Sequence, residues 1–199
     1  MWTYPRLDLS PLSKCIDLRD LDMSFFGNAD ADLSHLAACK YLENLSVYRC
    51  VGLTSLSPLA RCTNLRIINL PQTRITDLSP LSACVQLTKL DCSETEISSP
   101  SPHSSCIQLT KLTFQRTSIF DLSPLSACIQ LTQLYCGATK VYDISPLSAC
   151  IQLTDVCCTV TQVSDLSPLS ACVQLTELYC NGTMISELST LCLCKAHTA

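Results

Sequence analysis

Glycine is almost missing from this chain: there are four in 199 residues, none of them clustered. A loop that brings backbone N–H groups against a phosphate needs clustered glycines, so nucleotide-binding motifs of that kind are excluded. Charge is thin as well. Charged residues make up 15% of the sequence, 13 basic against 17 acidic, for a net charge of −4. No basic excess exists to hold a nucleic-acid backbone. Histidine is confined to His35, His103 and His197, far apart along the chain, and a general base needs a partner within hydrogen-bond reach. No apolar run reaches the length of a membrane-spanning helix. The N-terminal stretch MWTYPRLDLSPLSK also lacks an apolar core of signal-peptide length.

What is abundant is apolar surface, at 47% of residues, and cysteine, at 16. Both are distributed by a repeat. The stretch at 122–143, LSPLSACIQLTQLYCGATKVYD, returns at 144–165 as ISPLSACIQLTDVCCTVTQVSD and at 166–187 as LSPLSACVQLTELYCNGTMISE. The copy at 78–99 is equally plain, and those starting at Leu56 and Pro100 are worn but in register, with a period of 22 residues. A unit this short cannot bury its own apolar face and must stack on its neighbours. One register runs from Leu9 onward. It predicts a short lead over residues 1–8 and a single solenoid over 9–199, made of eight repeats and a truncated ninth. The first two copies are longer, at 24 and 23 residues, and SFFGNADAD forms the loose outer part of the first.

Within the copy at 78–99 the apolar positions are Leu78, Leu81, Cys84, Leu87, Leu90, Cys92 and Ile97. Only Leu90-Asp91-Cys92 alternates with period two, which marks a short strand with one face inward. The spacing of three before it fits a 3₁₀-like turn. Ser79-Pro80 supports that turn, with serine as N-cap, proline at the first helical position and Asp77 as a second cap candidate. Proline at this slot in six copies (Pro58, Pro80, Pro102, Pro124, Pro146 and Pro168) keeps the outer arc out of any sheet. Eight strands are predicted, centred at Leu21, Leu45, Ile68, Leu90, Leu112, Leu134, Val156 and Leu178. Stacked at ~4.8 Å they make a parallel sheet roughly 35 Å long, curved with the strands inside.

The cysteines follow the same register. Cys15, Cys39, Cys62, Cys84, Cys106, Cys128, Cys150, Cys172 and Cys194 share one slot, and Cys92, Cys136, Cys158 and Cys180 a second. Both slots are inward, where free cysteine packs as a small hydrophobe. Their Cβ vectors are expected to run nearly parallel from rung to rung, which suits a disulfide poorly. Reduced, packed thiols fit a reducing compartment. The expected location is therefore the cytoplasm, with the cell surface or the exterior as the alternative.

The string CIQLTQLYCGATKVYDISPLSAC resembles the leucine-rich repeat, in the 22-residue form of the internalin and phosphatase-regulatory type, whose repeat ends in an I-x-D-I-x-P-L stretch. It departs from that form in two ways. Threonine (Thr73, Thr95, Thr117, Thr139, Thr161 and Thr183) stands where the family has asparagine after the strand, and cysteine replaces leucine at two slots. The resemblance implies an α/β fold: a right-handed solenoid with a concave parallel β-sheet and short 3₁₀ turns on its convex side. It also implies binding of protein partners on the concave face rather than catalysis.

The outward strand residues are the candidate site. The positions taken as partner-binding are Tyr48, Asn69, Lys89, Asp91, Lys111, Gln133, Tyr135, Asp155, Glu177 and Tyr179. They lie where near-identical copies differ most. Tyrosines are stiff side chains of the kind that anchor interfaces. The run from Lys89 and Lys111 to Asp155 and Glu177 makes a modest dipole along the face.

Several other features carry lesser readings. The glutamines Gln86, Gln108, Gln130, Gln152 and Gln174 are expected to stack amide on amide. Cys157 points outward, a candidate exposed thiol, although nothing basic nearby lowers its pKa. His103 replaces an inward leucine in a degraded copy, with Phe114 recovering volume there. Cys192, Cys194 and His197 have loosely metal-like spacing but lack a fourth ligand. No catalytic residue, metal or cofactor is expected. The reading is a non-enzymatic protein–protein interaction module with no nucleic-acid partner and no membrane segment. The alternative is a structural or surface-adhesive repeat protein, or a fragment of a larger repeat protein. The ninth copy stops inside its turn, and an uncapped rung suggests end-to-end self-association.

Overall fold

The computed structural model describes residues 8–25, 32–99 and 105–186. It contains eight strands: β1 (Asp20–Asp22), β2 (Asn44–Ser46), β3 (Ile67–Asn69), β4 (Lys89–Asp91), β5 (Lys111–Thr113), β6 (Gln133–Tyr135), β7 (Asp155–Cys157) and β8 (Glu177–Tyr179). They form one parallel sheet in chain order. The register never slips. Leu21, Leu45, Ile68, Leu90, Leu112, Leu134, Val156 and Leu178 lie side by side at the strand centres, as the period requires.

Each strand is short, but hydrogen bonding between rungs continues on both sides of it. After β3, Leu70 N–H donates to Asp91 O (2.8 Å) and Gln72 N–H to Ser93 O (3.0 Å). Before the strands a threonine hydroxyl joins the stack. Thr88, Thr110, Thr132, Thr154 and Thr176 each donate through Oγ1 to the carbonyl of the residue one rung back, at 2.9–3.1 Å.

The chain leaves each strand through a left-handed residue. Arg49, Gln72, Glu94, Arg116, Ala138 and Val160 have φ between 54° and 59°, and Gly182 has 70°. Only glycine adopts this conformation without penalty. The next residue closes the turn: Thr73, Thr95, Thr117, Thr139, Thr161 and Thr183 donate Oγ1 to the carbonyl three positions back, at 2.6–2.8 Å. These threonines therefore act within their own turn, where the short hydroxyl reaches, and do not bridge rungs.

The outer arc is a ladder of 3₁₀ turns, at Ser10–Lys14, Leu33–Ala38, Ser57–Arg61, Ser79–Ala83, Ser123–Ala127, Ser145–Ala149 and Ser167–Ala171 among the described residues. The expected serine cap is corrected. Ser79 is the first residue inside its turn, and the cap comes from Asp77, which accepts from Ser79 N–H (2.8 Å) and Ser79 Oγ–H (2.6 Å). Asp121, Asp143 and Asp165 repeat this on Ser123, Ser145 and Ser167. An aspartate two residues ahead of a Ser-Pro pair reaches the backbone N–H that the turn leaves open.

A single apolar cluster runs through the stack. All described cysteines are free thiols, and both inward slots are buried apart from Cys15 at the first rung and the half-buried Cys180. The thiols are bonded as well as packed. Cys62 donates to Leu36 O (3.3 Å), Cys150 to Leu125 O and Cys128 O (both 3.5 Å), and Cys136 to Cys157 O (3.3 Å). A leucine at these positions could offer no such donor. Phe114 fills its cysteine slot with no exposed surface. The glutamine column is exposed, and among the described residues no hydrogen bond links one of these glutamines to the next. At the surface, water satisfies an amide as well as a neighbour does. Residues 1–7, the loop through Gly27 and Asn28, His103 with Pro100 and Pro102, and Cys192, Cys194 and His197 lie outside the described residues.

Candidate functional site

The parallel register arranges the outward side chains of the sheet into rows running across the rungs. One row reads Asp20, Asn44, Ile67, Lys89, Lys111, Gln133, Asp155, Glu177, and the next Asp22, Ser46, Asn69, Asp91, Thr113, Tyr135, Cys157, Tyr179. Nine of the ten sequence-selected positions fall in these two rows. Tyr48 lies two residues past β2, half-buried, in edge-to-face contact with Phe25 at 5.0 Å between ring centroids. It stands far from Tyr135 and Tyr179, which are two strands apart with Cys157 between them.

The electrostatic pattern differs from the single dipole read from the sequence. Asp20 and Asp22 make the β1 end acidic too, so the face runs acidic, neutral, basic, acidic. Neighbouring rungs also use one another. Lys111 Nζ lies 5.1 Å from the centroid of the Tyr135 ring, a cation–π contact. Gln133 Nε2 donates to Asp155 Oδ2 (3.3 Å); within β8, Tyr179 Oη–H donates to Glu177 Oε2 (3.1 Å). The bond to Glu177 first, and then its charge, raise the Tyr179 phenol above its usual range. Burial first, and then the charge of Asp155, raise that of Tyr135.

Cys157 is corrected from an exposed thiol to a covered one. It faces the sheet side but is only 9% exposed, in a row where its two neighbours are tyrosines, and its Sγ lies 3.5 Å from Thr159 Oγ1. Gly137, one rung back, leaves the room for this: a Cβ there would come within 2.7 Å of Thr159 Oγ1 and 3.5 Å of Cys157 Sγ. Gly137, Cys157 and Thr159 thus lie together, with Tyr135 and Tyr179 the register partners of Cys157 on either side. Among the described residues no group of three His, Cys, Asp or Glu side chains is placed to hold a metal ion. No helix there is long and apolar enough to cross a membrane.

No family model matches the sequence, and neither does any curated protein sequence. Solved structures do match in shape. Internalin C2 from Listeria monocytogenes aligns with a TM-score of 0.85 at 22% identity, over 93% of this chain and 84% of its own length. Internalin InlF from the same organism gives 0.77 at 24% identity over 96% of this chain, which spans 66% of it. The plant peptide hormone receptor RGFR1 in complex with RGF2 gives 0.77 at 16% identity over 94% of this chain and 33% of the receptor. Identity this low speaks for fold alone. The chain has the leucine-rich-repeat fold, in a cysteine-rich version.

Proposed function

We propose that this chain is a non-enzymatic protein-binding module whose partner docks on the outward face of the sheet, through the ten residues named above. One observation carries the reading. Rungs 122–143, 144–165 and 166–187 change their core letters only between aliphatic residues (Ile144, Val156 and Ile185), while their sheet-face letters change in size, charge and polarity, as Gln133, Asp155 and Glu177, as Tyr135, Cys157 and Tyr179, and as Gly137, Thr159 and Asn181. Packing alone gives no reason for such variety on a face it does not use. The solved receptor, caught with a peptide hormone, is an instance of this fold holding a polypeptide. Tyr135 and Tyr179 are the anchors, since partly exposed tyrosines lose little conformational entropy on binding and bury much area.

The thiol-rich core favours a reducing location, and we place the chain in the cytoplasm on that ground. The test is retention of a partner by the tagged full chain. Replacing Tyr135 and Tyr179 together by alanine should weaken it at least 100-fold, as the loss of two hot-spot side chains does, with unfolding unchanged. Undiminished retention by that variant would move the binding site off this face. The rival structural or adhesive reading predicts surface exposure on intact cells, where protease shaving removes the protein and the glycosylation acceptor patterns Asn44-Leu45-Ser46 and Asn181-Gly182-Thr183 carry glycan.

A further inference from the structure

The residue after each slot cysteine is apolar in five successive rungs: Val85, Ile107, Ile129, Ile151 and Val173. None of them enters the core. They are 53%, 47%, 56%, 54% and 71% exposed, a continuous ridge on the flank between the 3₁₀ turns and the sheet. Scattered exposed hydrophobes need no explanation, but five in register present on the order of 400 Å² of apolar surface, the size of a functional patch. The surroundings are as unusual as the ridge. Residues 78–88, 105–110, 122–132, 144–154 and 166–176 contain no charged side chain, in a chain whose net charge is −4. Earlier copies break the column with Lys40 and Thr63.

We propose that this ridge is the contact between two copies of the chain, related by a two-fold axis through Ile129. Three features select a second copy over other occupants. The ridge repeats at the rung spacing, so another stack of the same rungs is commensurate with it along its whole length. It reads Val, Ile, Ile, Ile, Val in both directions, and a two-fold contact requires such self-complementarity, with Val85 facing the partner's Val173 and Ile129 facing itself. Its band is also the neutral one, where two like-charged chains approach without repulsion. With the flanking glutamines and serines the contact covers roughly 1,000 Å² in total, the lower bound for a specific interface. Association is therefore of moderate strength, and the sheet face stays free.

Sedimentation equilibrium on the full chain, at concentrations up to about 100 μM for an interface of this size, should show a dimer of twice 21.8 kDa. Ile129→Lys places two ammonium groups across the axis and should give a monomer with an unaltered circular dichroism spectrum. Ile129→Glu should do the same, and mixing the two variants should restore the dimer. Tyr179→Ala should leave it intact, which separates this contact from partner binding. A monomeric parent chain overturns the proposal. So does a dimer that survives Ile129→Lys, the behaviour of end-to-end stacking. A parent chain that floats as monomer with neutral phosphatidylcholine vesicles would overturn it in favour of a lipid surface.

Discussion

Raising the pH from 7 to 10 should strongly destabilise this protein, and its buried thiols should be the main cause. Burial pushes Cys62, Cys106 and Cys128 up to about 11, and Cys84, Cys150 and Cys158 up to about 12. In the unfolded chain the same thiols titrate near 8.5–9. Below that range both states hold their thiol protons and the contribution is constant. Above it the unfolded chain releases protons that the folded chain keeps, so stability falls as pH rises and goes on falling until the folded values are reached. By pH 10 each such thiol costs on the order of 1 kcal/mol, so together they remove several kcal/mol, a large fraction of the stability of a domain. The measurement is the urea midpoint by circular dichroism at pH 7, 8, 9 and 10 under reducing conditions. A flat midpoint to pH 8 should be followed by a steep decline. Tyrosine and lysine also titrate in this range, and a double variant isolates the thiols. Cys84→Ala with Cys150→Ala should be less stable at pH 7 because of the cavities, yet should lose a few kcal/mol less between pH 7 and 10, on the order of 1 kcal/mol for each thiol removed. Equal losses in parent and variant would refute the reasoning. So would thiolate absorbance near 240 nm rising smoothly around pH 9 while the spectrum of the folded state persists.

Two further perturbations act on the strand exits. Val160, β-branched at φ 54°, should be relieved by Val160→Asn, raising stability by about 1 kcal/mol in urea unfolding, because asparagine tolerates the left-handed region. Thr139→Val keeps shape but removes the donor bonded to Cys136 O at 2.6 Å, and should cost roughly 1–2 kcal/mol for a buried carbonyl left short of a partner.

The fold was legible because two periods agree. Leucine and cysteine at fixed slots fix what faces inward, and the 22-residue spacing fixes which residues become neighbours, so strand centres and rows follow without coordinates. The left-handed strand exits were not legible. Of the residues there, only Gly182 advertises its conformation, while Gln72, Glu94 and Val160 are held in it by backbone bonds to the next rung that a sequence does not display. The aspartate caps were visible but under-weighted, since a serine before proline looks like a cap until Asp77 is seen taking both of its hydrogens. The exposed ridge has the same periodicity as the core and differs from it only in facing outward, which no apolar count distinguishes. The register puts Cys157 on the outward side of the sheet but does not show its accessibility, which is low. Its neighbours in the row are Tyr135 and Tyr179, each 22 residues away along the chain.

The low exposure of Cys157 bears on how the sheet face should be probed, because its positions are not independent. Gly137 and Thr159 occupy equivalent sites in adjacent copies, and the hydroxyl of the second takes space that a Cβ on the first would need. Lys111 lies over the Tyr135 ring, and Gln133 holds Asp155. A substitution in one rung therefore changes the shape or charge offered by the next. Removing Lys111 exposes a face of Tyr135 and makes the β6–β8 end more acidic in effect, so Lys111→Ala can strengthen a cationic partner even if Lys111 touches nothing. Gly137→Ala should displace Thr159 and disturb the packing beside Cys157. Residues in contact couple by about 0.5–3 kcal/mol, as large as the anchor effects sought here, so scanning one residue at a time assigns neighbours' contributions to the wrong side chain. Double-mutant cycles within adjacent rungs, 133 with 155 and 137 with 159, separate contact with a partner from repair of the face. Pairs two or more rungs apart should be additive, because in this stack each rung contacts only its neighbours.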